Sequence, residues 1–253
     1  MRVFATFNIK GGVGKTASAI NLAYLSAMEG SRTLIWDLDP QSSATFYLRI
    51  KPKIKGGSKR LIKGKQDLDS LIRGSDFDNL DLLPADFSYR KLDLFLDRTN
   101  KPAKRLAQLV KPFSKEYDHL FLDCAPGITL VSESVFVAAD VLLVPTIPTT
   151  LSLRTLDQLA SYVHKRRLKK LKIWPFFCML DRRKSLHRQI AESPQNSPFD
   201  LLATAIPFSS TVERMGIHRA PLASFAGRTP AAQAYRQLWQ EIQSRLAAKS
   251  AVS

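Results

Sequence analysis

Cysteine is almost missing. Cys124 and Cys178 are the only two in 253 residues, too few for a disulfide framework and without the paired spacing of a metal or redox motif. Disulfide-stapled secreted folds and zinc modules are therefore excluded, and both thiols are expected in the core. Long apolar runs are missing too: nothing approaches the roughly 18–20 residues that a bilayer span needs. The N-terminus shows no leader pattern and reaches Lys10-Gly11-Gly12 at once, so a soluble, cytoplasmic protein is expected. Acid is scarce, with 22 Asp+Glu against 38 Lys+Arg for a net charge of +16. What is present is a hydrophobic content of 45%, enough for a real core and against disorder.

The positive charge is concentrated. Eight cations and no acid fall in 49–65, six cations in 164–172, and four with one Asp in 181–188. Those windows carry +17, so the remainder of the chain stands at −1. A nearly neutral globule with basic segments reads as a polyanion binder rather than a uniformly solvated basic surface, because each neutralised phosphate releases counterions. The stretch 51–65, rich in Lys and Gly, reads as a basic loop.

Strand-like runs at 2–8, 33–37, 80–84, 119–123, 141–145, 173–179 and 201–206 alternate with segments whose apolar residues recur every three or four positions. That alternation predicts an α/β fold: a doubly wound, mostly parallel sheet with helices on both faces. The chain reads as one domain over 1–253, closed by a helix over 231–248 that follows Thr229-Pro230 and places Tyr235, Leu238, Trp239, Ile242 and Leu246 on one side.

After the first strand comes Lys10-Gly11-Gly12-Val13-Gly14-Lys15-Thr16, and then a helical pattern beginning with Ala17. Strand, glycine loop and helix start together form a phosphate cradle, in which Lys15 would reach the β and γ phosphates and Thr16 would meet Mg²⁺. In an open parallel sheet all strands deliver their carboxyl ends to one edge. Asp37, Asp39 and Asp123 should therefore converge near Lys15, and carboxylates beside phosphates call for a divalent cation.

The strict pattern GxxxxGK[ST] fails, because Ile9 stands where its first Gly belongs; the form present is KGGxGK[ST]. With Asp37-Leu38-Asp39-Pro40-Gln41, Phe121-Leu122-Asp123-Cys124-Ala125-Pro126, Ile206-Pro207 and Ala234-Tyr235-Arg236-Gln237-Leu238, the chain resembles the ParA/MinD family of deviant Walker-type P-loop ATPases, most closely its ParA branch. The resemblance implies ATP and Mg²⁺ as cofactors and an ATP-dependent homodimer in which Lys10 crosses to the partner's phosphates. It implies that Asp39 orients the attacking water, Asp37 tunes the metal shell, Asp123 holds it, and Pro207 and Phe208 flank the adenine. Ala17, Ser42-Ser43 and Ala125 depart from the family's usual residues.

The resemblance further implies slow, partner-stimulated ATP hydrolysis and nonspecific binding of double-stranded DNA at the nucleoid. A ParB-like or other cargo adaptor would complete a partitioning or positioning system. DNA contacts are expected from Lys165, Arg166, Arg167, Lys169, Lys170, Arg182, Arg183, Lys184, Arg188 and Arg219, directed at phosphate rather than bases. No membrane partner is expected, since the C-terminal residues lack the bulky apolar face of an interfacial helix. No DNA-reading domain is expected ahead of the first strand at Arg2. The alternatives are a MinD-like ATPase or a metabolic or cofactor-assembly ATPase on the same fold.

Overall fold

The computed structural model describes residues 1–52, 57–64, 68–193 and 197–250. Its strands are β1 Arg2–Thr6, β2 Thr33–Asp37, β3 Arg73–Gly74, β4 Leu80–Leu83, β5 His119–Asp123, β6 Val141–Thr146 and β7 Lys172–Phe177. They form one sheet in the order β3-β4-β2-β5-β1-β6-β7. Every pair is parallel except β3 with β4.

The helices are α1 Lys15–Met28, α2 Ser43–Tyr47, α3 Gly57–Ile62, α4 Leu92–Asp97, α5 Arg105–Val110, α6 Leu130–Ala138, α7 Thr150–Lys165, α8 Ser185–Glu192, α9 Ser210–Glu213, α10 Met215–His218, α11 Leu222–Ala226 and α12 Pro230–Ser250.

Successive strand residues point to opposite faces, which divides the core in two. Val3, Ala5, Trp36, Leu120 and Leu122 face Leu96, Phe136, Leu156 and Leu159. Phe4, Ile35, Phe121 and Leu143 face Ile20 and Leu22 of α1 and Leu238, Trp239 and Ile242 of α12. Both faces of the sheet are covered, as the uninterrupted apolar strands require. Local chemistry sets the helix starts: Thr149 caps α7 by accepting from the Ser152 N–H, and Thr129 with Ser132 forms a capping box on α6.

Two sequence expectations are corrected. Residues 201–206 are not a strand; they lie along β7 with three scattered backbone bonds, from the N–H groups of Leu202 and Ile206 and to the Ile206 carbonyl. A regular ladder fails because Pro175 in β7 has no N–H, and because the Ala203 and Thr204 N–H groups turn to the Glu241 carboxylate, at 2.8 and 2.9 Å. The stretch 51–65 is not simply a basic loop, since α3 lies within it with Leu61 and Ile62 buried. Positions 53–56 and 65, with Lys53, Lys55 and Lys65, lie outside the described residues.

Candidate functional site

The glycine loop leaves the carboxyl end of β1 and turns into α1 through left-handed glycines, Gly12 at φ +70° and Gly14 at φ +93°. Asn8 ties it down: its side-chain amide donates to the Pro145 carbonyl at 2.9 Å, and its oxygen accepts the Lys10 N–H at 2.9 Å. No side chain caps α1, so the first N–H groups of a 14-residue helix remain available to an anion. Lys15, 7% exposed, folds back so that its ammonium donates to the Lys10 carbonyl at 3.0 Å. Burial lowers its pKa, with Asp123 opposing. The half-buried Lys10 side chain has no hydrogen bond or ion pair among the described residues.

Thr6, Asp37 and Asp123 end three adjacent strands in register, Thr6 beside Asp123 and Asp37 beside Asp123. Both carboxylates are fully buried. Asp37 is well supplied with donors: its Oδ2 accepts from the Thr45 N–H and hydroxyl, at 2.8 and 2.7 Å, and its Oδ1 from the Asp39 N–H at 3.1 Å. Burial nonetheless pushes its pKa up to about 6. Asp123 accepts the Thr6 hydroxyl on Oδ1, at 3.3 Å, and the Thr16 side chain beside it favours its charged form, while its buried Oδ2 has no hydrogen bond of good geometry among the described residues. Burial, followed by the Asp37 charge, holds its carboxyl well above the usual range. Asp39 turns one oxygen to the Gln41 N–H at 2.9 Å. Among the described residues no His, Cys, Asp and Glu side chains form a ready-made metal cage. The orphaned oxygen beside a phosphate cradle does suit a hard cation that takes most of its shell from water and phosphate, as Mg²⁺ does.

The AAA_31 family model, an AAA domain, matches residues 1–173. Soj, the sporulation initiation inhibitor protein of Bacillus subtilis, is 28% identical over 247 residues, covering 95% of this chain and 98% of its own. The chain belongs to the ParA/MinD family of deviant Walker ATPases. The chromosome partitioning protein ParA of Caulobacter vibrioides is 28% identical over 253 residues, covering 97% of this chain and 95% of its own. Among solved structures, cobyrinic acid a,c-diamide synthase from Mycobacterium smegmatis with bound ATP analog and magnesium superposes with a TM-score of 0.81 at 25% identity, covering 95% of this chain and 93% of that one.

Pro207 and Phe208 line a small, mainly apolar cavity beside the loop with Gly14, Ala17, Cys178 and Tyr235. Sequence reasoning missed Cys178 and Tyr235 there. The sequence places Cys178 inside the strand-like run 173–179, whereas β7 ends at Phe177, which leaves Cys178 just past the strand, where an open sheet presents its ligand contacts. The Ser18 hydroxyl is buried behind the loop, close to Tyr235.

The cations named from the sequence separate into two groups. Lys165, Arg166, Arg167, Lys169 and Lys170 lie between the end of α7 and the start of β7, whereas Arg182, Arg183, Lys184 and Arg188 follow the carboxyl end of β7. The six residues of β7 hold the groups about 20 Å apart, and only the second shares an edge with the glycine loop. Some cations are engaged within the chain: Arg166 with Glu133 at 2.7 Å, and Arg183 with Asp181 at 2.8 Å. Arg219 donates to the Phe46 carbonyl at 3.0 Å and lies over the Phe46 ring. Arg182, Lys184, Lys165 and Lys170 are exposed and make no ion pair among the described residues.

Proposed function

We propose that the chain is a slow, Mg²⁺-dependent ATPase working as a switch. With ATP it forms a homodimer, the dimer holds double-stranded DNA at the nucleoid without regard to sequence, and a ParB-like or other cargo adaptor stimulates hydrolysis and releases it. DNA or another large cargo is thereby partitioned or positioned. One observation carries the reading: the uncapped start of α1 and its glycine loop stand at the same sheet edge as the unpartnered, buried Asp123 Oδ2. An anion and a cation are wanted together, as in a nucleotide with its metal.

In this reading the amides of Gly11, Gly12, Val13, Gly14, Lys15 and Thr16 hold the phosphates, and Lys15 exchanges the Lys10 carbonyl for a phosphate oxygen. Thr16 and Asp123 hold the Mg²⁺. Bound there, the metal screens the phosphates from the carboxylates and neutralises charge developing on the transferred group. Asp39 orients the attacking water, while Asp37 fastens α2 behind it. Lys10, whose side chain has no partner among the described residues, reaches the nucleotide of the second subunit. Phe87, Ile128 and Leu151, which are 65%, 36% and 63% exposed, follow the carboxyl ends of β4, β5 and β6 and so share the edge a partner would cover.

Dimerisation is tested by light scattering with a nonhydrolysable ATP analogue, and DNA binding by a mobility shift on an arbitrary duplex. The parent should dimerise and shift the duplex with ATP but not ADP, and Lys10→Ala should bind nucleotide as a monomer. A parent that stays single and ignores DNA with every nucleotide sinks the proposal. The likeness to cobyrinic acid a,c-diamide synthase supports a second reading, a metabolic ATPase. It predicts turnover that neither DNA nor the Lys10 substitution alters.

A further inference from the structure

The buried sides of α3, α4 and α5 pack into one core through Leu61, Ile62, Leu92, Leu96, Leu106 and Leu109. The end of α3, the turn between α4 and α5 and the polar side of α5 are left lining a cleft of about 450 Å³. Four cations face it, Lys63, Arg98, Lys101 and Arg105, with Asn100 and Gln108 between them, and no carboxylate is among its described lining residues. This differs from the other basic segments, where Arg166 and Arg183 have acidic partners. Like charges gathered in a concavity repel one another unless an anion joins them.

The half-buried Arg105 is fixed before any ligand arrives. Its Nε donates to the Ile62 carbonyl at 2.6 Å and its Nη1 to Gln108 Oε1 at 3.1 Å. Its Nη2 lies against Gly64, where a Cβ would approach it to 2.6 Å. A guanidinium held flat by a carbonyl, an amide and a bare glycine is a preorganised fork for phosphate oxygens, and the three exposed cations around it add charge.

We propose that this cleft is a second anion site, distinct from the glycine loop, that takes a small ligand carrying two or more phosphate groups. The recessed Arg105 and the size of the cavity favour a small polyphosphate over duplex DNA, which meets protruding side chains.

The test titrates inorganic tripolyphosphate into the full chain carrying Lys15→Ala, which silences the glycine loop, at fixed ionic strength. Binding is expected, and Arg98→Gln with Lys101→Gln should weaken it by at least about tenfold, as loss of charge-assisted hydrogen bonds implies. Lys165→Gln with Lys170→Gln, equal in charge change, should leave it unaltered. Should Lys15→Ala fail to fold, the parent reads the same point as stoichiometry, with two equivalents bound and one in the Arg98/Lys101 variant. The proposal is overturned if tripolyphosphate does not bind or if both double variants lose equally. It is also overturned if inorganic phosphate binds as tightly, or if duplex affinity falls in step with tripolyphosphate affinity.

Discussion

Gly14 shows how closely a single residue is constrained at the loop. Its φ of +93° strains any side chain, and a Cβ there would stand 2.8 Å from Cys178 Sγ. Gly14→Ala should therefore destabilise the fold by at least about 1–3 kcal/mol, read from denaturant melts. Adding Cys178→Ala should restore part of that loss by removing the clash while leaving the backbone strain. Gly11→Ala, with nothing within 4 Å of its Cβ, should melt close to the parent. His119 is a second informative residue. Its Nδ1 lies 2.7 Å from Ser26 Oγ, and it packs edge-on to Phe4 and Trp239. Burial lowers its pKa below the ordinary 6.5, so the unfolded chain takes up the proton first as pH falls. Its contribution to stability is complete above about pH 6.5 and is lost as pH drops from there toward the folded value. His119→Asn should flatten the dependence of the urea midpoint on pH in that range; an unchanged slope would show that the imidazole does not titrate with folding.

At the scale of elements, Glu241 explains why residues 201–206 are not a strand. It takes the N–H groups of two successive residues, which in a strand would point to opposite edges, and also pairs with Arg245 at 3.1 Å. Glu241→Ala should cost about 0.5–1.5 kcal/mol, the net worth of hydrogen bonds whose donors water can reach, with faster amide exchange at Ala203 and Thr204. The strands at 33–37 and 119–123 were legible to the residue, because fully buried parallel strands are continuous apolar runs ending at polar residues. The segment 201–206 was equally apolar, but its fate depended on a carboxylate about 40 positions later, which no local pattern encodes. The same division holds at the candidate site. The glycine loop and the three aspartates could be read because spacing and strand ends place them. Cys178 beneath Gly14, and the unequal hydrogen bonding of Asp37 and Asp123, could not, since both arise from contacts between distant segments.

For the whole molecule, what decides function is where the charge lies relative to the sheet. A net +16 would draw any polyanion to the chain, but a nucleotide-controlled grip on DNA needs cations that move with, or are assembled by, the edge where nucleotide binds. Arg182 and Lys184 meet that requirement, since the loop after β7 leaves the same edge as the glycine loop; Lys165, Lys169 and Lys170 lie about 20 Å away at the other end of β7. In the ATP state, affinity for an arbitrary duplex should fall by roughly tenfold or more between about 50 and about 200 mM salt. Arg182→Gln with Lys184→Gln should weaken that binding and reduce the slope of log affinity against log salt, by about one to two units when counted over a single subunit. Neutralising Lys165, Lys169 and Lys170 should leave the difference between ATP and ADP states intact, even where it lowers affinity in both. If the Lys165 group instead abolishes the ATP dependence while Arg182 and Lys184 are silent, the grip on DNA is assembled at the far edge, and the coupling to nucleotide must run through the length of the sheet.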